Sequence, residues 1–158
     1  MDAAAIEQAY DPFIEAVMTG HFRSPEAGEG WSARMVVAHV TLNNDHWTRA
    51  ARDVLAGGPS EYDNEAAVDG DVLRRHLAEM DGMAALVADL RRSVGELAAV
   101  YDELGDQRET VIPVRIVSDG VVVRDKPAAV GNMIVGNATY HLQMHYEQLL
   151  ALRAGDRV

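Results

Sequence analysis

A long helical repeat limits this chain to a mainly helical fold. Between residues 71 and 104 an apolar residue recurs every three or four positions, which is the spacing of one face of an α-helix. The stripe consists of Leu73, Leu77, Met80, Ala84, Val87, Leu90, Val94, Leu97, Tyr101 and Leu104. A single helix over this range would be roughly 50 Å long, which is long for one small domain, so we predict a break or bend near Gly82 or Gly95.

Two further helical segments precede this repeat. Residues 3–19 carry a helical apolar stripe that contains Pro12, so the helix either kinks there or begins with Asp11 as its cap, and we expect a kinked or shortened helix. The next helix is predicted from Ser32 to about Ala56, because the Ser32 hydroxyl can accept a hydrogen bond from a free N–H of the first turn. Trp31, just before this cap, can pack on Val36.

The connections have a different composition. Residues 59–70 are rich in Asp, Glu, Asn and Gly, and we expect an exposed connection there. Residues 110–117 and 121–124 are β-branched runs on either side of Ser118-Asp119-Gly120, which predicts a β-hairpin with an edge strand at Pro113. A last helix is expected from Pro127 to about Arg153. The sequence therefore predicts one all-α domain over residues 1–158, with a small β-hairpin between its third and fourth helices.

Composition narrows the possible functions. The 158-residue chain is long enough to bury one core, and its formal charge of −11 disfavours binding to nucleic acid or to anionic membranes. It has no cysteine, so any thiol chemistry requires an outside thiol. The N-terminus lacks the pattern of a secretory signal, and no apolar run is long enough to span a membrane. We expect a cytoplasmic protein.

The last helix carries polar residues at core positions. Asn137, His141 and His145 occupy consecutive turns of its inward stripe, and burying each without a partner would cost about 1–3 kcal/mol. The two histidines are four residues apart, so both imidazoles point to the same side of the helix. They are either ordinary half-buried histidines or two ligands of a metal ion.

A third histidine favours the metal interpretation. His39 lies beside the apolar stripe of the second helix, where a buried imidazole needs partners for both ring nitrogens. Helical bundles build metal sites from such facing positions, and three imidazoles leave an open coordination position for water or substrate. His46 is the alternative third ligand. Asn43 and Asn137, each four residues from a proposed ligand, are candidates to support the ligands or to contact substrate.

These motifs, in this order and separation, resemble the DinB-like superfamily. The resemblance rests on Trp31-Ser32, on His39 seven residues after Ser32, and on the pattern His141-x-x-x-His145-x-x-x-Leu149. It implies an up-down-down-up four-helix bundle in which His39, His141 and His145 hold a divalent metal, often zinc or nickel. Similar proteins include mycothiol-dependent maleylpyruvate isomerases and thiol-S-transferases, whose metal activates a low-molecular-weight thiol.

Two departures favour a generic DinB-like protein over the isomerase branch. Met35 stands where an acidic residue often completes the helix cap. The isomerase branch resembles a His, Glu, His ligand set, and this chain has His141 where that glutamate would stand.

The leading hypothesis is therefore a small-molecule metalloprotein that activates a thiol or a water at His39, His141 and His145. The alternative is a metal-free module that binds a small ligand or dimerises through the same bundle. A homodimer is expected on general grounds, because an edge hairpin tends to pair. No motif identifies the substrate.

Overall fold

The first helix is continuous through its proline. The structure is a computed structural model that describes residues 1–25 and 30–154. Helix α1 is Ala3–Thr19, and the Asp2 carboxylate caps it by accepting a hydrogen bond from the N–H of Ala5 at 2.9 Å. The alternative of a shortened helix that begins at Asp11 is therefore wrong. Pro12 is exposed, and the carbonyl that loses its partner belongs to Gln8, which is also exposed and can bond to water.

The long repeat is divided at a glycine, as predicted. Helix α2 is Ala33–Leu55, capped by the Ser32 hydroxyl, which accepts from the N–H of Met35 at 3.3 Å. Helices α4, Gly70–Ala78, and α5, Gly82–Leu104, share the 71–104 stripe. The break lies at Gly82, whose φ of +78° is a left-handed conformation that other residues rarely adopt.

The stretch predicted as an exposed connection is partly buried. It contains the short strand β1, Tyr62–Asp63, and the one-turn helix α3, Glu65–Val68. Tyr62, Asn64 and Ala67 are buried. Strand β1 pairs in parallel with a strand about 50 residues later in the chain, through Tyr62 and Val114. The prediction was therefore wrong for these buried residues, because a pairing so distant in sequence leaves no local pattern.

The predicted hairpin is present and extends into a small sheet. Strands β3, Val114–Ser118, and β4, Val121–Asp125, are antiparallel, and the sheet order is β1-β3-β4. Asp119 and Gly120 both have positive φ, which matches a two-residue hairpin turn of type I′. A 3₁₀ turn, Gly105–Glu109, leads to β2, Val111–Ile112, which pairs with β5, Ala128–Ala129. Strand β3 is therefore central, and the edge strand predicted at Pro113 is not observed.

The last helix contains an irregular turn in its middle. Helix α6, Val130–Gly136, continues into a π-helical turn, Asn137–His141, and then into α7, Leu142–Ala151. A π turn accommodates one extra residue, which shifts every later side chain by about 100° around the axis. Met144, which regular helical spacing would place on the same face as His141, is consequently 56 % exposed, whereas Leu142 and Leu149 are buried.

The helices pack around one apolar core. Helix α2 lies against α5, α1 contacts α5, and α7 contacts both α1 and α2. The largest fully buried side chains from these helices include Tyr10, Phe13, Trp47, Leu90, Leu97 and Leu149. The described part of the chain is thus mainly helical with two small sheets. None of the helices it contains has the length and apolar character that crossing a membrane would require.

Gly131 provides a test of this packing. A Cβ at Gly131 would lie 2.6 Å from the Cβ and 3.0 Å from the carbonyl oxygen of Arg108 in the 3₁₀ turn. Gly131→Ala should therefore lower the free energy of unfolding by about 1–3 kcal/mol, because backbone must move. Gly95→Ala is the matched control, since nothing lies within 4 Å of its Cβ, and it should raise that energy by about 0.5–1 kcal/mol. Urea denaturation measures both. Equal stability of the two variants would contradict the close packing.

Candidate metal centre

Three imidazoles converge at one point between α2 and the last helix. The Nε2 atom of His141 lies 3.0 Å from Nε2 of His39 and 3.1 Å from Nε2 of His145. These three histidines are a group whose ligand atoms lie within 4.8 Å of one another, and no carboxylate of the described residues belongs to it. His39 and His145 are buried, whereas His141 is partly exposed.

Each helix presents its histidine for a local reason. The apolar run around His39 buries that side of α2, with Val36, Val37 and Val40 all within the core. His141 is the last residue of the π turn, and His145 follows one turn later in α7. The four-residue spacing read from the sequence therefore does bring both imidazoles to one site.

Hydrogen bonds at the outer nitrogens orient two of the rings. Nδ1 of His39 lies 2.8 Å from the carbonyl oxygen of Ala67, and Nδ1 of His145 lies 2.8 Å from Oε1 of Gln148. Because both oxygens only accept, each Nδ1 carries the proton and each Nε2 presents a lone pair. Outer partners of this kind fix the tautomer and orientation of histidines that bind metals.

The inner nitrogens are not satisfied by one another. His39 and His145 both direct an Nε2 lone pair at Nε2 of His141, which has at most one proton to donate. At least one of these two approaches therefore places a lone pair opposite a lone pair. A divalent cation accepts all three lone pairs at once, so this donor set fits such an ion.

The surroundings keep the three rings neutral. Burial lowers the pKa of His39 to about 3, and the neighbouring His145 adds to this effect. Burial also holds the pKa of His141 well below its usual range. It lowers the pKa of His145 as well, against the opposing effect of the hydrogen bond that His145 donates to Gln148. Histidine binds metals in its neutral form, so these rings do not have to lose a proton first.

Trp31 forms an aromatic wall beside the rings. Its ring centroid lies 4.8 Å from that of His39, and it lies 6.3 Å from that of His145 with the planes inclined by 17°. The tryptophan that precedes the helix cap thus packs on two of the three histidines. An apolar wall of this kind limits solvent access to a site and lowers its local dielectric.

The other histidines lie elsewhere. His46, the alternative ligand, has its Nδ1 3.0 Å from the carbonyl oxygen of Asp63 and is not part of the cluster. His76 is half-buried with its Nε2 3.1 Å from a carboxylate oxygen of Asp89. His21 is exposed in the loop after α1.

The two asparagines lie one helical turn from the ligands, on either side of the core. Asn43 and Asn137 are buried, and Nδ2 of Asn43 donates to Oδ1 of Asn137 at 2.5 Å. Tyr62 donates its hydroxyl proton to Oδ1 of Asn43. Asn137 in turn donates to Oδ1 of Asn44, at 2.8 Å, and to the hydroxyl of Tyr10, at 3.2 Å. The polar residues noted in the sequence are therefore paired with one another.

Sequence reasoning missed part of the site. The carbonyl of Ala67 orients His39, but a backbone carbonyl has no residue type that could reveal it. Tyr62 lay in the stretch that was expected to be exposed. An aromatic residue within an otherwise polar segment was the one available signal, because such residues are seldom left in solvent.

Comparison with known families decides the relationship. The family model described as the mycothiol maleylpyruvate isomerase N-terminal domain matches residues 3–129. The chain belongs to this family. It is therefore a DinB-like protein, as the sequence resemblance implied. The sequence departures at Met35 and His141 predicted a generic DinB-like protein rather than the isomerase branch. The family model that matches is nevertheless that of the isomerase N-terminal domain. No curated protein and no solved structure matches the chain.

The match covers only part of the candidate site. The matched range contains Trp31, His39 and Asn43, and it ends before the helix that carries His141 and His145. The assignment of His141 and His145 to the site therefore rests on the geometry of this chain.

Proposed function

We propose that this DinB-like protein binds a divalent metal through His39, His141 and His145 and there activates a low-molecular-weight thiol or a water. The convergence of three Nε2 atoms with at most one proton to share carries the proposal. Zinc or nickel is the metal that the resemblance favours. The reaction would be a thiol transfer, an isomerisation or a hydrolysis of a small-molecule substrate.

The protein supplies a neutral, pre-oriented donor set. Three imidazoles leave a coordination position open, and a divalent metal bound there lowers the pKa of a thiol or water that occupies it. Ala67 and Gln148 hold two ligand rings in orientation, and Trp31 restricts the access of water. No carboxylate of the described cluster offsets the charge of a dication, which favours an anionic ligand such as a thiolate at the open position.

The thiol would come from outside the chain. The sequence has no cysteine, and the family description names mycothiol. We infer that mycothiol, or a thiol of similar size, is the cosubstrate, and that water is the alternative occupant.

The wider arrangement follows the same family. We infer that α1, α2, α5 and the last helix form an up-down-down-up four-helix bundle within a single domain over residues 1–158. The packing of α2 on α5, of α1 on α5 and of α7 on α1 and α2 supports this. A cytoplasmic location stays a prediction.

Metal binding gives the first test. Tag-free protein should bind one equivalent of Co²⁺, Zn²⁺ or Ni²⁺, and His141→Ala or His145→Ala should abolish this binding. His46→Ala is the matched control and should bind normally, because His46 is half-buried on the same helix as His39 but outside the cluster. Calorimetry should show stabilisation of the wild type by about 2.7 kcal/mol when metal is at 100 times its Kd.

Trp31 offers an independent optical signal in the same titration. Co²⁺ or Ni²⁺ should quench its fluorescence, and Trp31→Phe should remove the response, since Trp47 is stacked on Tyr62 instead. No binding and no thermal shift at saturating metal would instead support the metal-free module.

Thiol activation gives a second, separate test. Adding mycothiol to the Co²⁺-loaded protein should produce a near-ultraviolet thiolate-to-cobalt absorption band, because a metal-bound thiol is deprotonated. S-methyl mycothiol is the control and should produce none. If millimolar mycothiol does not change the spectrum of the Co²⁺-loaded protein, the thiol is ruled out, and water remains as the ligand at the open coordination position.

A homodimer through β4 is the remaining proposal on partners. Strand β4 is an outer strand of its sheet, and Val121, Val122 and Val123 are exposed there. Val123→Lys should shift sedimentation equilibrium from dimer to monomer. Val111→Lys, at an equally exposed valine in the other sheet, is the control and should not. A monomeric wild type at high micromolar concentration would refute this proposal.

A further inference from the structure

The π turn of the last helix is connected to the buried asparagines by hydrogen bonds. We infer that Asn137 is a positioning residue that fixes the π turn and so directs His141 at His39 and His145 before any metal binds. The inference rests on the proposed metal function and adds to it the reason why the ligands are assembled.

The π turn determines where His141 points. Helix α6 is anchored by the buried residues Val130 and Ile134, and α7 is anchored by Leu142 and Leu149. Both apolar faces can be buried together only if the helix gains one residue between them. A regular helix over this range would rotate α7 by about 100° relative to α6. With α6 held in place, that rotation would turn His141 away from His39, or Leu142 out of the core.

Asn137 is the first residue of this turn and has partners on two other helices. Its Oδ1 accepts from Asn43 at 2.5 Å, and its Nδ2 donates to Asn44 at 2.8 Å and to Tyr10 at 3.2 Å. Every hydrogen-bonding atom of the side chain is thus used, in a position that is 4 % exposed. The amide joins the start of the π turn to α1 and α2.

The partners are themselves held in place. Tyr62 donates to Oδ1 of Asn43, which leaves Nδ2 of that asparagine directed at Asn137. The hydroxyl of Tyr10 donates to Oδ1 of Asn44 at 2.7 Å, and burial raises the pKa of Tyr10, so this donor keeps its proton. The orientation of the Asn137 amide is therefore set on both sides.

The same network reaches the ligand helices on both sides of the site. Asn43 lies one turn after His39 on α2, and Asn137 lies one turn before His141. The hydrogen bond between Asn43 and Asn137 joins α2 to the last helix, one turn from the position where a metal would join the same two helices. It can therefore hold the two helices at the separation that brings Nε2 of His39 within 3.0 Å of Nε2 of His141.

Ser93 provides a matched control in the same network. Its hydroxyl accepts from Nδ2 of Asn44 at 3.3 Å and donates to the carbonyl of Leu90 at 2.8 Å. Ser93→Ala would leave a buried donor without its partner, as Asn137→Ala would. The serine lies on α5, however, and makes no hydrogen bond to the π turn.

The test compares the two variants by Co²⁺ titration. Asn137→Ala should weaken Co²⁺ binding by about 10–100-fold and alter the visible ligand-field spectrum, as expected when the support of a metal ligand is lost. Ser93→Ala should keep the wild-type affinity and spectrum even where its thermal stability falls as much. Equal affinity and identical spectra for wild type and Asn137→Ala would overturn the inference.

A metal-free measurement separates this inference from the proposed function. Amide hydrogen exchange in residues 141–146 of the metal-free protein should be faster in Asn137→Ala than in Ser93→Ala, because release of the π turn exposes those amides. The same exchange in both variants would overturn the positioning role. If the wild type binds no Co²⁺, the proposed metal function fails, and the exchange comparison still decides whether Asn137 fixes the turn.

Discussion

The close approach of three imidazole nitrogens is the physical constraint around which the candidate site is built. Nε2 of His141 lies within hydrogen-bond distance of two Nε2 atoms that are oriented as acceptors, and it has at most one proton to donate to them. Neutral rings at this separation gain little from one another and much from a cation. The carbonyl of Ala67, the amide of Gln148 and the wall formed by Trp31 all act to maintain this arrangement.

The site is electrically unlike the rest of the molecule. The chain has a formal charge of −11, yet the described cluster contains no carboxylate and its rings are held neutral by burial. A metal bound there would keep most of its charge, so the charge would have to be balanced by an anion from outside. That requirement connects the absence of cysteine to the proposed use of an external thiol: the protein provides the positive centre, and the cosubstrate provides the sulfur.

The buried asparagines show how a helical protein can hold such a site together. A purely apolar core tolerates small rotations of its helices, because hydrophobic contact is not directional. Hydrogen bonds are directional, and the connected set of Tyr10, Asn43, Asn44 and Asn137 joins α1, α2 and the last helix in their observed relative position. The π turn costs some helical regularity, and these hydrogen bonds are available to offset that cost.

The sequence by itself determined the features that depend on spacing within one segment. The length of the helical repeat predicted a break near Gly82 or Gly95, and the Ser32 hydroxyl predicted the helix cap. The four-residue spacing of His141 and His145, with His39 beside an apolar stripe, predicted the cluster. Only the tertiary structure decided what depends on distant partners: the burial of Tyr62, the role of the Ala67 carbonyl and the π turn that exposes Met144. A residue's own neighbours set helical spacing, whereas a π turn and a backbone hydrogen bond are fixed by whichever element packs against them.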